Sequence, residues 1–259
     1  MADVNSAPAP VVYKTEEECI PGNVVRDDKG NPVRSASGSW LTSGEEILDA
    51  GPQAAKNQGL ALAQQVPKSY LFSSDNPDPP GSIGRLSVLQ TKALMTVLAK
   101  AASGLVYPVL GPTGQVGKYQ MTASQLVLLG YVKSEHFISY GVECLKSDAA
   151  WTGKDRIINL SSWFASPGVQ ENAMYQQLLN NYTVLSGNSG ILPTDNLCTI
   201  AGMLAVAHIL GPDSGTEQYP GSVRWRYTGG GQDINGNTGN LYFSLGRYAV
   251  DVLAAKVNK

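Results

Sequence analysis

The sequence predicts a mainly α-helical domain with a small β-hairpin, preceded by an extended irregular N-terminal arm. Three observations carry this expectation. Apolar residues recur at helical spacing through residues 85–104, RLSVLQTKALMTVLAKAASG. Residues 196–210, NLCTIAGMLAVAHIL, are apolar nearly all round, as a buried central helix should be. Residues 1–43 are instead rich in Pro, Gly, Ser and Asn with only short apolar pieces, the composition of an arm rather than a domain.

In chain order, Thr42-Ser43 followed by Glu45-Glu46 resembles a helix start, predicting helices over 44–50 and 52–65 with Gly51-Pro52 between them. The run SSDNPDPPGSIG, residues 73–84, reads as a linker. The chain is therefore divided into a docking region, 1–84, and a helical domain, 85–259. Within the latter, Leu86, Leu89, Ala93, Leu94, Val97, Leu98 and Ala101 share a helical face, and Gly104 is the expected stop. A hairpin-like stretch follows over 105–120, then a helix over 122–129, an amphipathic piece over 134–146 and a long polar helix over 168–185. A Gly/Asn-rich loop occupies 213–240 and a closing helix 241–256. No internal repeat is visible.

Bulk properties narrow the function. The formal net charge of -2 gives no basic face for nucleic acid. No window of 18 uncharged apolar residues could span a membrane, and residues 1–18 hold no apolar run of a secretory signal. The three cysteines, Cys19, Cys144 and Cys198, match no metal-ligand spacing and are expected to be reduced, buried thiols. Nothing calls for a metal or other cofactor.

Several pieces, taken in order, carry more chemistry. They are Gly117-Lys118-Tyr119-Gln120, then Leu126 through Gly130-Tyr131, Trp151-Thr152-Gly153, Ser166 through Ala173, Asn181-Tyr182, Ala201 through Leu204 with Ala207-His208, and Gln232 through Asn237. Together they resemble the lysozyme-like or lytic-transglycosylase-like domain carried by bacteriophage tails, over about residues 85–256. The resemblance implies a cleft for peptidoglycan glycan strands lined by Gly117, Tyr119, Gln120, Tyr131, Asn181 and Tyr182. It also implies a glutamic acid at the end of the first helix, in Glu-Ser-Gly, which protonates the glycosidic oxygen. Here that stretch reads Ala101-Ala102-Ser103-Gly104, so the acid's position is Ala102.

The gap is wide. From Pro79 to Ser134 there is no Asp or Glu, where average usage of this chain's 21 acids would place about four or five. Glu135, Glu143, Asp148 and Glu171 read as solvated surface charges, with Glu143, between Val142 and Cys144, the best substitute acid. His208 reads as a satisfied core histidine, and Asp233–Asn237 as a turn rather than a calcium loop. Tyr119, Tyr131, Trp151 and Trp163 suit sugar stacking and core packing equally. The expected function is a structural protein of a phage tail or baseplate, made in the host cytoplasm, with a degenerate hydrolase-like domain. Its partners would be neighbouring tail subunits, through 1–84, and peptidoglycan. The alternatives are an active glycan-strand hydrolase and an unrelated helical binding module.

Overall fold

A computed structural model describes residues 25–31, 33, 53–188, 190–193, 195–212 and 237–254, with residues 53–57 and 237–240 described by backbone alone. The expected helix over 44–50 and the Asp233–Asn237 turn lie largely outside these residues. The described part is mainly helical. Its helices are α1 (Gln53–Gln64), α2 (Lys68–Leu71), α3 (Val88–Ser103), α4 (Ala123–Leu128), α5 (Ser134–Tyr140), α6 (Leu160–Phe164), α7 (Pro167–Gly187), α8 (Leu197–Leu210) and α9 (Asn237–Tyr248). A π-helical turn, Ala249–Ala254, continues α9.

The starts and stops follow local chemistry. Ser87 opens α3 with a reciprocal cap: its hydroxyl accepts from the Gln90 amide at 3.2 Å, and its own amide donates to Gln90 Oε1 at 2.9 Å. Gly104, at φ +68°, closes α3 in the left-handed region that only glycine enters freely. Thr122 and Gln125 cap α4 in the same reciprocal way, and the Asn196 side chain accepts from Thr199 N to start α8. Pro167 stands in the first turn of α7, where its missing N–H costs nothing. The piece expected over 134–146 is split at Gly141 into α5 and a 3₁₀ turn, Gly141–Lys146.

No strand occurs among the described residues. Where a hairpin was expected, single bridges Leu110–Val116 and Val116–Met121 fold the chain back on itself. Pro108 and Pro112 remove ladder donors there, and Gly111, Gly114 and Gly117 favour turns over extension.

The core forms around α8, whose residues from Cys198 to His208 are all buried. Helix α9 crosses it at a glycine contact. A Cβ on Gly246 would meet Ala201 O at 2.2 Å, and one on Gly202 would meet the Phe243 ring at 2.7 Å. Ala63, Val66, Leu71 and Ile83 join the same hydrophobic cluster as α3 and α8. The stretch 73–84, expected as a linker, is fastened down instead. Asn76 Nδ2 donates to Thr96 Oγ1 at 3.0 Å, Lys92 pairs with Asp78 at 2.8 Å, and Ile83 is fully buried. Its prolines shape turns that deliver these side chains to α3.

Cys144 is free and buried, but Cys198 is disulfide-bonded, which corrects the expectation of reduced thiols. Nothing in cysteine spacing alone distinguishes a distant pair from isolated buried thiols. No described helix is long and apolar enough to cross a membrane.

Candidate functional site

The segment Gly117–Gln120 is wedged between the end of α3 and the start of α7. Gly117 has φ +83°, and a Cβ there would meet Gln170 Oε1 at 2.3 Å and Trp163 Nε1 at 2.8 Å. Both the backbone angle and the space demand glycine. Gln170 ties the turn to the helices: its Oε1 accepts from Lys118 N at 2.8 Å while its Nε2 donates to Trp163 O at 2.8 Å. Gln120 is held at φ +50°, an uncommon angle for a side-chain-bearing residue. Its Nε2 donates to Gly117 O at 2.9 Å and to Val109 O at 3.3 Å, which stabilises that conformation.

Beneath this turn lies an ion pair. Lys118 is wholly buried, and its Nζ stands 2.6 Å from Glu171 Oε1. Tyr107 donates its hydroxyl to the same oxygen at 2.6 Å, and Tyr119 donates to Oε2. The Lys118 ammonium also lies over the Tyr107 ring, 4.7 Å from its centroid. Burial pulls the Lys118 pKa down, with Glu171 opposing the shift. Burial and the adjacent carboxylate push Tyr119 well up and Tyr70 to about 12.

Glu171 was expected as a solvated surface charge; it is 6% exposed. One helical turn of α7 carries Gln170 to the Gly117 turn and Glu171 to Lys118, so the polar sequence QEN marks an internal anchor. With three donors converging on its two oxygens, the carboxylate presents no free edge to a ligand.

On the other side of the turn is a cavity of about 280 Å³ lined by Ala101, Ala102, Tyr119, Gln120, Gln125 and His208, among others. Ser103 fixes its rim: Oγ donates to Lys118 O at 2.7 Å, joining the end of α3 to the Gly117–Gln120 turn. His208 forms the floor, 2% exposed, with Nδ1 3.2 Å from Gln177 Oε1 and Nε2 3.2 Å from Tyr119 O. Burial drives its pKa down to about 4, so the ring is neutral at neutral pH. This matches the expectation of a satisfied core histidine and adds a cavity wall to it. No carboxylate is among the described residues lining this cavity.

The other expected site residues are dispersed. Glu143 is exposed and pairs with Lys146 at 2.5 Å on the surface, and it is not among the described residues that line the cavity. Tyr131 is buried, donates to Asp155 Oδ2 at 2.8 Å and packs edge-on against Trp163, with ring centroids 5.4 Å apart. Trp151 and Trp163 are both core residues. Tyr182 lies against Gly84, whereas Asn181 lines a neighbouring cavity with Gln125 and Gln177. Sequence reasoning missed Lys118, Gln125 and Gln177. The Thr-x-x-Gln spacing of residues 122–125 is a capping signal that could have drawn attention to Gln125, but it gives no sign that its Nε2 reaches His208 O at 2.8 Å. Among the described residues, no three His, Cys, Asp or Glu side chains converge as a metal site would require.

Comparison with protein-family models, with curated proteins and with solved structures returned no match for this chain.

Proposed function

We propose that residues 85–259 form a lysozyme-like or lytic-transglycosylase-like domain that keeps a sugar cleft but lacks the proton donor. The chain as a whole is then a structural protein of a phage tail or baseplate, docking on its neighbours through residues 1–84. The observation that carries this reading is the cavity in which Ala102 stands with Tyr119, Gln120 and Gln125 and with no carboxylate among its described lining residues. The small hairpin of such a domain would correspond to the folded-back segment at 110–121. The virion assignment rests on the resemblance of the motifs.

The chemistry is specific about what is missing. Glycoside cleavage needs a carboxylic acid to protonate the leaving oxygen, usually worth orders of magnitude in rate. An alanine methyl has no proton. Neutral His208, both of whose ring nitrogens face protein oxygens, is a poor substitute acid. What remains is two tyrosines and several amides, a set that binds sugar hydroxyls without reacting with them.

The test is Ala102→Glu, assayed on purified peptidoglycan for reducing ends or released muropeptides. The expected result is no turnover by the natural chain and weak turnover by the variant. Robust turnover by the natural chain, abolished in Glu143→Gln, would overturn the proposal.

A further inference from the structure

A groove of about 700 Å³ runs past the end of α3, between residues 70–77, residues 105–108 and the start of α7. It shares no described lining residue with the Ala102 cavity, so its occupant is independent of the glycan reading. Tyr70, Tyr107, Pro77, Pro108 and Pro167 form its walls, and these are fixed before any ligand arrives. The Tyr107 hydroxyl donates to Glu171 Oε1 at 2.6 Å, and Asn76 and Asp78 fasten the neighbouring turn to α3. Leu105, also in the lining, is held at φ +78°, a left-handed angle that strains a leucine and is typical of ligand clamps.

Two features decide the ligand chemistry. The wholly buried Lys118 ammonium lies 4.7 Å from the Tyr107 ring centroid and 5.7 Å from that of Tyr70, so it covers both rings from within. A second cation stacked on those rings would be repelled by it, whereas a neutral proline ring would not. Asp75 is the one charged side chain among the described lining residues, and its carboxylate makes no ion pair or hydrogen bond among the described residues. The fitting ligand therefore brings prolines to the tyrosines and a basic group to Asp75, on an extended backbone of the polyproline type.

The sequence holds such a segment. Residues 7–14 read APAPVVYK, with Pro8 and Pro10 in the one Pro-x-Pro outside the described residues and Lys14 four positions further on. A covalent bond brings it to the body of the protein. Cys198 is disulfide-bonded and Cys144 is free, so within this single chain the partner of Cys198 is Cys19. From Cys198 to His208, α8 covers about 15 Å, and His208 touches Tyr119, beside Lys118 under the groove. Pro8 and Pro10 stand eleven and nine residues before Cys19, a reach of about 30 Å when extended. We propose that the groove holds residues 7–14 of its own chain, with Pro8 and Pro10 on the tyrosine rings and Lys14 paired with Asp75.

The experiment joins the pair covalently in the full-length chain, prepared without reductant. A water-soluble carbodiimide activates a carboxylate, and a lysine amine in contact with it forms an amide with net loss of one water. Peptide mapping by mass spectrometry locates the link, and a mixture of heavy-isotope-labelled and unlabelled chains separates links within one chain from links between two. The expected product joins Lys14 to Asp75 within one chain, alongside the surface pair Lys146–Glu143 as an internal standard. Changing Pro8→Gly together with Pro10→Gly should cut the Lys14 yield about fivefold and leave the standard unchanged. Lys14 linked to a different carboxylate, or left unlinked while the standard forms, overturns the proposal. So do links found only between chains, and so does an undiminished yield in the double-glycine variant.

Discussion

Lys118 and Glu171 are opposite charges removed almost entirely from water, and each is tolerable only because the other is present. Removing one partner leaves an unpaired buried charge, which typically costs about 3–5 kcal/mol. Glu171→Ala should therefore lower unfolding free energy by about that much in a denaturant titration. Replacing both partners with apolar residues, as in Lys118→Met with Glu171→Leu, should recover a large part of the loss. Equal destabilisation by the single and double changes would show that the pair itself contributes little. His208 makes a second prediction at this scale. Its ordinary pKa of 6.5 falls to about 4 in the fold, so between those values the unfolded chain binds more protons. The stability contributed by keeping His208 neutral is thus complete above pH 6.5 and is lost as pH falls toward 4, about 3 kcal/mol in all. Measured stability of His208→Gln should show a correspondingly flatter slope across that window, because glutamine has no proton to gain.

At the scale of elements, the crossing of α8 and α9 depends on two glycines that let backbones approach. Gly246→Ala sets a methyl against the Ala201 carbonyl, which a rigid helix cannot move aside cheaply. Overpacking of this kind typically costs about 1–3 kcal/mol, read as a drop in melting temperature. Gly104→Ala brings left-handed strain, at φ +68°, but meets open space, and should cost less. Helices α3 and α8 were legible in the sequence because helical periodicity in the one and unbroken apolar character in the other extend over many residues. The break at Gly141 was not legible, since the apolar pattern on both sides of it is continuous. The site was half legible. Ala102, Tyr119 and Gln120 were marked by their neighbours in sequence, and they do line one cavity. Glu171 was misread because a carboxylate in a polar helix looks solvated until the lysine it meets, 53 residues earlier, is known.

For the whole molecule, the disulfide at Cys198 and the free Cys144 give a simple count. The chain has three cysteines, so thiol titration in denaturant without reductant should detect one, and after reduction three. Three thiols without reductant would mean that no disulfide forms. The packing of residues 63–83 against α3 and α8 implies that truncation at residue 84 removes part of the core, whereas truncation at residue 43 leaves those residues in place. The burial of Lys118 has a further consequence for chemical footprinting. Amine-acylating reagents modify lysines that water can reach, and Lys133, Lys146 and Lys154 make their ion pairs or hydrogen bonds at or near the surface. Lys118 should stay unlabelled until the turn over it lifts away from α7, so the rate at which its tryptic peptide gains mass is a clock for the opening of that one seam.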